Sequence, residues 1–396
     1  MKKVVKKTML IILLSIGSLI ILTFASLLLI SGVFEKQEYL EPWEKDYALQ
    51  FEDPRIQLAA HGLLAGNGHN MQPWMIKLDK ENPMVFYLYS DSNRMTGEVD
   101  PFSRQMMVTQ GAFLEYVKIA GNYLGYPASV ELFPQGVFDE TDLIKSMQST
   151  PVAKVTLTKA SPQQDPLYDY LFMPDTNRSP YKPEQLTMEQ VSELEAVSKN
   201  TGIIVKIFQD SSNIAKLKTY IMDSVTIEAN TDRVMEETEV IFRSNEFKKN
   251  QYRYGFSVEG QGTSGIMRHI IQGLVTLFPS MNSGEAATTN FIKSTQTSVD
   301  NTAAYAMIFT KDNSRISQVE SGMIYSNLVL TAHKLGVVMQ PLSQPLEEYP
   351  EMNLPYTSIH KDYAMDGSTI QMLLRLGQPT KDVPLSMRQD VMEIIE

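Results

Sequence analysis

The stretch Gly68–Trp74, GHNMQPW, sets His, Asn, Gln and Trp around a single proline. Two readings compete for it. Read as extended chain, the alternation points Asn70 and Gln72 to one side, where each amide can donate and accept, and Pro73 stiffens the entry to a strand. Read as a turn, the same amides tie down the backbone. Trp74 is read as core filling in either case.

Working outward, residues 53–66 (DPRIQLAAHGLLAG) place Ile56, Ala59, Ala60 and Leu63 on one helical face. WMIKLD (74–79) and MVFYLYS (84–90) read as paired strands joined by a polar turn. Residues 103–125 give the strongest helix of the first half, with Phe113, Val117, Ala120 and Leu124 in register and Gly125 as its stop. Strands ASVELF (128–133) and VAKVTLT (152–158) follow. Thr187 with Gln190 resembles a capping box, opening a helix that leads to strand IIVKIF (203–208). A helix is expected from Ser211 to about Arg243, then strand AYAMIFT (304–310), a helix over 314–336, strand VVMQP (337–341) and a final apolar strand IQMLLRLG (370–377). The order helix, Leu-Gly, strand occurs at Leu124-Gly125 and again at Leu335-Gly336. Two α+β halves built alike are expected.

The chain of 396 residues is 43% hydrophobic, enough for a sizeable core. Of its 35 basic residues, Lys2, Lys3, Lys6 and Lys7 precede a charge-free run from Thr8 to Phe34. As a helix that run spans about 40 Å, enough to cross a bilayer with tilt. No clear small-x-small cleavage site follows, so an uncleaved anchor is expected, with a cleaved signal as the alternative. The four lysines favour a cytoplasmic N-terminus and an extracellular domain. Setting them aside leaves 31 basic against 46 acidic residues, a charge of −15 that repels nucleic acid and anionic membrane surfaces. Residues 35–52 lack periodicity and read as a stalk. There is no cysteine, hence no disulfide, thiolate metal site or thiol nucleophile.

GQGTSG (260–265) fits G-x-G-x-x-G, but its flanks supply neither strand of a dinucleotide unit, so it is read as a loop. The five histidines are scattered, without a metal-ligand pattern, and no G-x-S-x-G is present. No metal and no catalytic side chain is expected.

Ala65–Trp74, AGNGHNMQPW, resembles the A-P-S-x-H-N-T-Q-P-W stretch of nitroreductase-like flavoproteins, in the Acg-type branch whose single chain holds two nitroreductase-like halves. DPFSRQ (100–105) is similar to that branch's D-P-x-x-R-Q, TNRSPY (176–181) to its T-N-R-x-P-F, and QPLSQPLE (340–347), QMLLRLGQP (371–379) and SMRQDV (386–391) to its C-terminal run. The resemblance covers most of residues 53–396. It implies an α+β nitroreductase-like fold, two similar halves forming a pseudo-dimer: 1–34 lysines and anchor, 35–52 stalk, 53–173 first half, 174–396 second half.

It further implies one FMN between the halves. Gly66, Asn67, His69, Asn70 and Gln72 would approach the ring; Arg178 and Arg388 would hold the phosphate, with Thr176 or Ser179 adding a hydroxyl. Arg104 is expected to serve structure. Gly66-Asn67 and Met71 depart from the family's Pro-Ser and Thr, and Pro174-Asp175 stand where it has arginines. The expected function is a membrane-anchored, extracellular flavin-dependent oxidoreductase, monomeric, acting on a small-molecule acceptor or a membrane electron carrier. The alternatives are a non-catalytic flavin-sequestering or carrier protein, and a flavin-free surface scaffold.

Overall fold

The computed structural model describes residues 2–365 and 367–396. Helix α1 (Lys2–Ser31) contains 28 residues, Val4–Ser31, of mean hydropathy 2.6, long and apolar enough to cross a membrane. Its side chains are exposed from Val4 to Ser26 except at Gly17, whereas Leu27 and Ser31 are buried in the rest of the protein.

The segment expected as a stalk is part of the fold instead. Residues 35–52 form two short 3-10 turns that bury Tyr39, Trp43 and Tyr47. Their partners come from the far end of the chain. Trp43 Nε1 donates to the Ser386 carbonyl at 2.8 Å, Arg388 N to the Tyr39 carbonyl at 2.9 Å and Val391 N to the Tyr47 hydroxyl at 2.9 Å.

The first half runs α2 (Pro54–Gly62), β1 (Trp74–Leu78), β2 (Val85–Ser90), α3 (Arg104–Leu124), β3 (Ala128–Leu132), α4 (Leu143–Ser149) and β4 (Ala153–Leu157). Asp53 caps α2 by accepting from Arg55 N, and Pro54 starts it, where a missing N–H costs nothing. Gly125, at φ 78, ends α3. The strands form an antiparallel sheet in the order β1-β2-β4-β3.

The second half begins with α5 (Met188–Ala196), opened by the expected Thr187–Gln190 capping box, and β5 (Ile204–Phe208). It continues through α6 (Ser211–Ala229), α7 (Asp232–Val240), β6 (Phe242–Arg243), α8 (Glu246–Tyr252), β7 (Phe256–Ser257), α9 (Gly265–Leu277) and α10 (Gly284–Asp300). It closes with β8 (Ala304–Thr310), α11 (Arg315–Lys334), β9 (Val338–Pro341), α12 (Asn353–Tyr363) and β10 (Thr369–Gly377). The helix expected over 211–243 breaks at Asn230-Thr231. Those side chains fold back onto the Thr226 and Ile227 carbonyls at 2.7 and 2.8 Å, and the chain restarts as α7. Phe242–Arg243 then pairs in parallel with Phe256–Ser257.

The second sheet, also antiparallel, has the order β5-β8-β10-β9. Taken along the chain, each sheet is therefore ordered first, second, fourth, third, with the long helix after its second strand. Those helices, α3 and α11, cross in close contact. A Cβ on Gly111 would lie 1.8 Å from the Val319 carbonyl oxygen, and one on Gly322 would lie 1.9 Å from that of Val108. Glycine at both crossings lets the backbones touch. One apolar cluster runs from Trp74, Ile76 and Phe86 through Phe113 and Leu328 to Ala306 and Leu374. The C-terminus returns to the first half, where Ile395 bridges Ile76 in parallel.

Candidate functional site

The opening stretch is not extended. Gly68–Asn70 forms a single 3-10 turn, and His69, Asn70 and Gln72 take left-handed φ values of 51°, 53° and 51°. Such conformations need support from their surroundings. Asn67 Oδ1 accepts from Gln72 N at 2.9 Å, and the Thr109 hydroxyl of α3 accepts from Gly68 N at 3.1 Å. The amides expected along a cofactor's edge bond to protein. Asn70 Nδ2 donates to the carbonyls of Gly255 (2.9 Å) and Met387 (3.1 Å), while Gln72 Nε2 donates to that of Arg253 (2.8 Å) and its Oε1 accepts from Gln389 N (2.9 Å). Trp74 is core, in contact with Phe113, with Nε1 on the Thr109 carbonyl at 3.2 Å.

Arg388, expected at a phosphate, is fully buried. Its Nη1 donates to Asn70 Oδ1 at 2.9 Å, its Nη2 to the Leu64 and Ala65 carbonyls at 2.9 and 3.2 Å, and its guanidinium lies 4.6 Å from the Trp43 ring centre. Burial pulls its pKa down to about 10, opposed by Asp175, whose Oδ1 is 3.9 Å from Nη2. In this position Arg388 spends both Nη atoms fastening the loop to the C-terminal run, and its buried Nε is left without a partner.

Across from the loop stand residues 174–179 of the second half. Gly66 is where the two sides meet: a Cβ there would sit 2.7 Å from Asp175 Oδ2 and 3.1 Å from the Tyr325 hydroxyl. The Thr176 hydroxyl donates to Asp175 Oδ2 at 2.9 Å. Ser179 is buried, its hydroxyl turned onto Asn177 Oδ1, so it faces no ligand. Arg178 is the guanidinium that solvent reaches; its Nη1 donates to the Gly260 carbonyl at 3.0 Å. Protein nonetheless crowds it enough to lower its pKa, with Asp175 opposing. His69 is half-buried, and burial together with the charge of Arg178 lowers its pKa to about 4, leaving it neutral at pH 7. The phenols of Tyr116 on α3 and Tyr325 on α11 are pushed up, first by burial and then by Asp175.

The chain thus brings segments 66–69 and 175–178 side by side: Gly66 is closed against Asp175 and Tyr325, and His69 lies near the charge of Arg178. Asn70, Gln72 and Arg388 serve as supports. Arg375, which the sequence reading passed over, is fully buried and donates to the carbonyls of Ser179 (2.8 Å) and Ser298 (3.0 Å), pinning the 176–179 turn. A lone arginine inside the apolar strand QMLLRLG is the signal that could have found it. Arg104 is structural as expected, bonded to the Gln371 and Leu346 carbonyls at 2.7 Å each. Among the described residues no group of three His, Asp or Glu could hold a metal ion.

No protein-family model matches the sequence, and no curated protein does. Among solved structures, the chain is similar to a nitroreductase with bound FMN from Desulfitobacterium hafniense at TM-score 0.35 and 9% identity, covering 57% of this chain and 96% of that one. It is similar to a nitroreductase with bound FMN from Bacteroides fragilis at TM-score 0.33 and 8% identity, covering 57% and 95%. It is also similar to a nitroreductase-like family protein from Bacillus cereus at TM-score 0.31 and 12% identity, covering 60% and 98%.

Proposed function

We propose that the chain is a membrane-anchored, flavin-dependent oxidoreductase of the nitroreductase type, with residues 53–173 and 174–396 forming a pseudo-dimer around one FMN. The observation that carries this reading is the meeting of two segments far apart in sequence, AGNGHNMQPW and the 175–178 stretch that contains TNR, beside Tyr325 of α11. The residues fit such a cofactor in a reduced set. Arg178, reachable by solvent, would meet the phosphate, whereas the Thr176 hydroxyl, expected to join it, is engaged with Asp175 Oδ2. His69 would lie along the ring. Gly66, closed against Asp175, and Asn67, whose amide bonds to Gln72 N and the Ala65 carbonyl, join Arg388, Asn70 and Gln72 in holding the loop that presents it. FMN, when bound, supplies the electron transfer; the protein supplies position and exclusion of water.

The lysines in the first turns of α1 favour an extracellular domain. The burial of Leu27 and Ser31 against the domain favours retention of α1, because cleavage would expose that contact. A donor that lives in the membrane suits this placement better than a nicotinamide, which the domain's acidic charge would repel. A second reading, flavin sequestration or a flavin-free scaffold, is favoured by one feature, the Asp175 carboxylate within 3.9 Å of Arg388 where a phosphate would need cations.

The experiment is anaerobic mixing of FMN-loaded protein with a short-chain quinol, dithionite and NADPH, following flavin absorbance. Reduction by the quinol and by dithionite, with NADPH slow, is expected. Rapid bleaching by millimolar NADPH overturns the choice of donor, and resistance to every reductant supports sequestration.

A further inference from the structure

Helix α9 is turned inside out. Its polar side chains face the protein: Gln272 Nε2 donates to Glu246 Oε1 at 2.9 Å, His269 Nδ1 lies 3.0 Å from the Ser31 hydroxyl, and Arg268 Nη1 lies 3.4 Å from Glu259 Oε1. Beneath it lies a buried ionic cluster in which Lys249 bridges Glu246 and Glu259. The opposite face carries Ile266, Met267, Ile270, Leu274, Leu277 and Phe278, all apolar and spaced to fall along one side. Ile266 is 60%, Met267 52% and Phe278 56% exposed. A surface helix in water is built the other way round.

What covers that face is indicated by its neighbour. α9 packs on the C-terminal end of α1, so closely that a Cβ on Gly273 would lie 2.5 Å from the Leu27 carbonyl oxygen. The exposed part of α1, residues 4–26, is about 34 Å long, close to the roughly 30 Å of a bilayer core. The apolar face of α9 therefore begins where α1 leaves the domain. Phe34, 86% exposed, and Phe247, 48% exposed and adjacent to Gly32, flank the same junction. Such a helix has the design of one that lies in the interface plane with its apolar side in the acyl region.

We propose that α9 is a second membrane contact, embedded along its outward face in the leaflet next to the domain, beside α1. The proposal rests on α1 being the membrane anchor. It also ties Arg178 to this contact: the segment 259–264 that runs into α9 accepts from Arg178 at Gly260 and from Lys381 at Gly262.

The absence of cysteine makes the test clean. Nitroxide labels are placed one at a time at Met267→Cys, Leu274→Cys and Phe278→Cys in the full chain, reconstituted into phosphatidylcholine vesicles. Leu14→Cys serves as the reference within α1 and Lys199→Cys as the aqueous reference. Collisional accessibility to dissolved oxygen and to a water-soluble nickel complex is measured by power saturation. The expected result is that labels at 267, 274 and 278 match Leu14→Cys, open to oxygen and at least tenfold less accessible to nickel than Lys199→Cys. Nickel accessibility equal to Lys199→Cys at those sites, with Leu14→Cys protected, overturns the proposal and leaves the anchor standing. Protection from both reagents also overturns it, because a second copy or a protein partner then covers the face. Exposure of Leu14→Cys to nickel removes the anchor itself.

Discussion

Arg388 holds Asn70: its Nη1 reaches the Asn70 side-chain oxygen at 2.9 Å, while Asn70 Nδ2 returns a bond to the Met387 carbonyl at 3.1 Å. This reciprocal clasp ties the end of the chain to the loop of the first half, and the same guanidinium closes on the Leu64 and Ala65 carbonyls. Local bonds add to it: the Asn67 carbonyl accepts from Asn70 N at 3.3 Å and Asn67 Oδ1 from Gln72 N at 2.9 Å.

Replacing Arg388 by Ala is expected to cost folding stability, because it strips a buried donor from the Leu64 and Ala65 carbonyls and from Asn70 Oδ1. The loss should be about 3 to 5 kcal/mol, as for removing one partner of a buried charged network. Thermal unfolding of Arg388→Ala checks it; an unchanged midpoint would contradict the supporting role.

Gly322→Ala and Gly111→Ala should each destabilise the crossing of α3 and α11 by at least 1 to 3 kcal/mol, the scale of overpacking a close-packed interior. The new methyl meets a backbone oxygen, which cannot rotate away. Helix propensity alone would make the same substitutions favourable by about 1 kcal/mol, so the sign of the measured change distinguishes the two effects.

His69 links the loop to pH. Its pKa is about 4 in the folded chain and about 6.5 when unfolded, so only the unfolded state takes up a proton at this site between those values. Its contribution to stability is present above about pH 6.5 and is lost as pH falls toward 4, below which the loss levels off. His61, His269, His333 and His360 are lowered by burial as well and act in the same direction. Denaturant unfolding of His69→Gln should therefore show a shallower, but not flat, dependence across that window.

Much of the fold was legible. The capping box at Thr187–Gln190, the stop at Gly125 and both sets of core strands follow from local chemistry, and the structure has them at the expected positions. Three things were not. The alternation argument for Asn70 and Gln72 assumed β-region backbone, and left-handed residues cancel it. Tyr39, Trp43 and Tyr47 looked unpartnered because their partners, Ser386–Val391, lie at the other end of the chain. The apolar residues of α9 do recur at helical spacing, but the spacing alone does not say that the stripe faces outward.

Arg178 and Asp175 should act on FMN in opposite directions. Arg178→Ala removes a solvent-accessible cation that makes one bond to the Gly260 carbonyl, so affinity should fall by about 1.5 to 3 kcal/mol with little change in stability. Asp175→Asn removes a like charge from the phosphate's surroundings and should tighten binding. Fluorescence titration of FMN against each variant checks both signs; tightening by Arg178→Ala would refute the assignment.

The most direct test of the central claim, one flavin held between two halves of a single chain, is flavin stoichiometry on the full-length protein in nanodiscs holding one copy each. FMN titration should saturate at one per chain, with FAD binding more weakly because Arg178 is the single arginine assigned to the phosphate. Saturation at two FMN per chain, preference for FAD, or no FMN binding by protein that unfolds cooperatively would contradict the account.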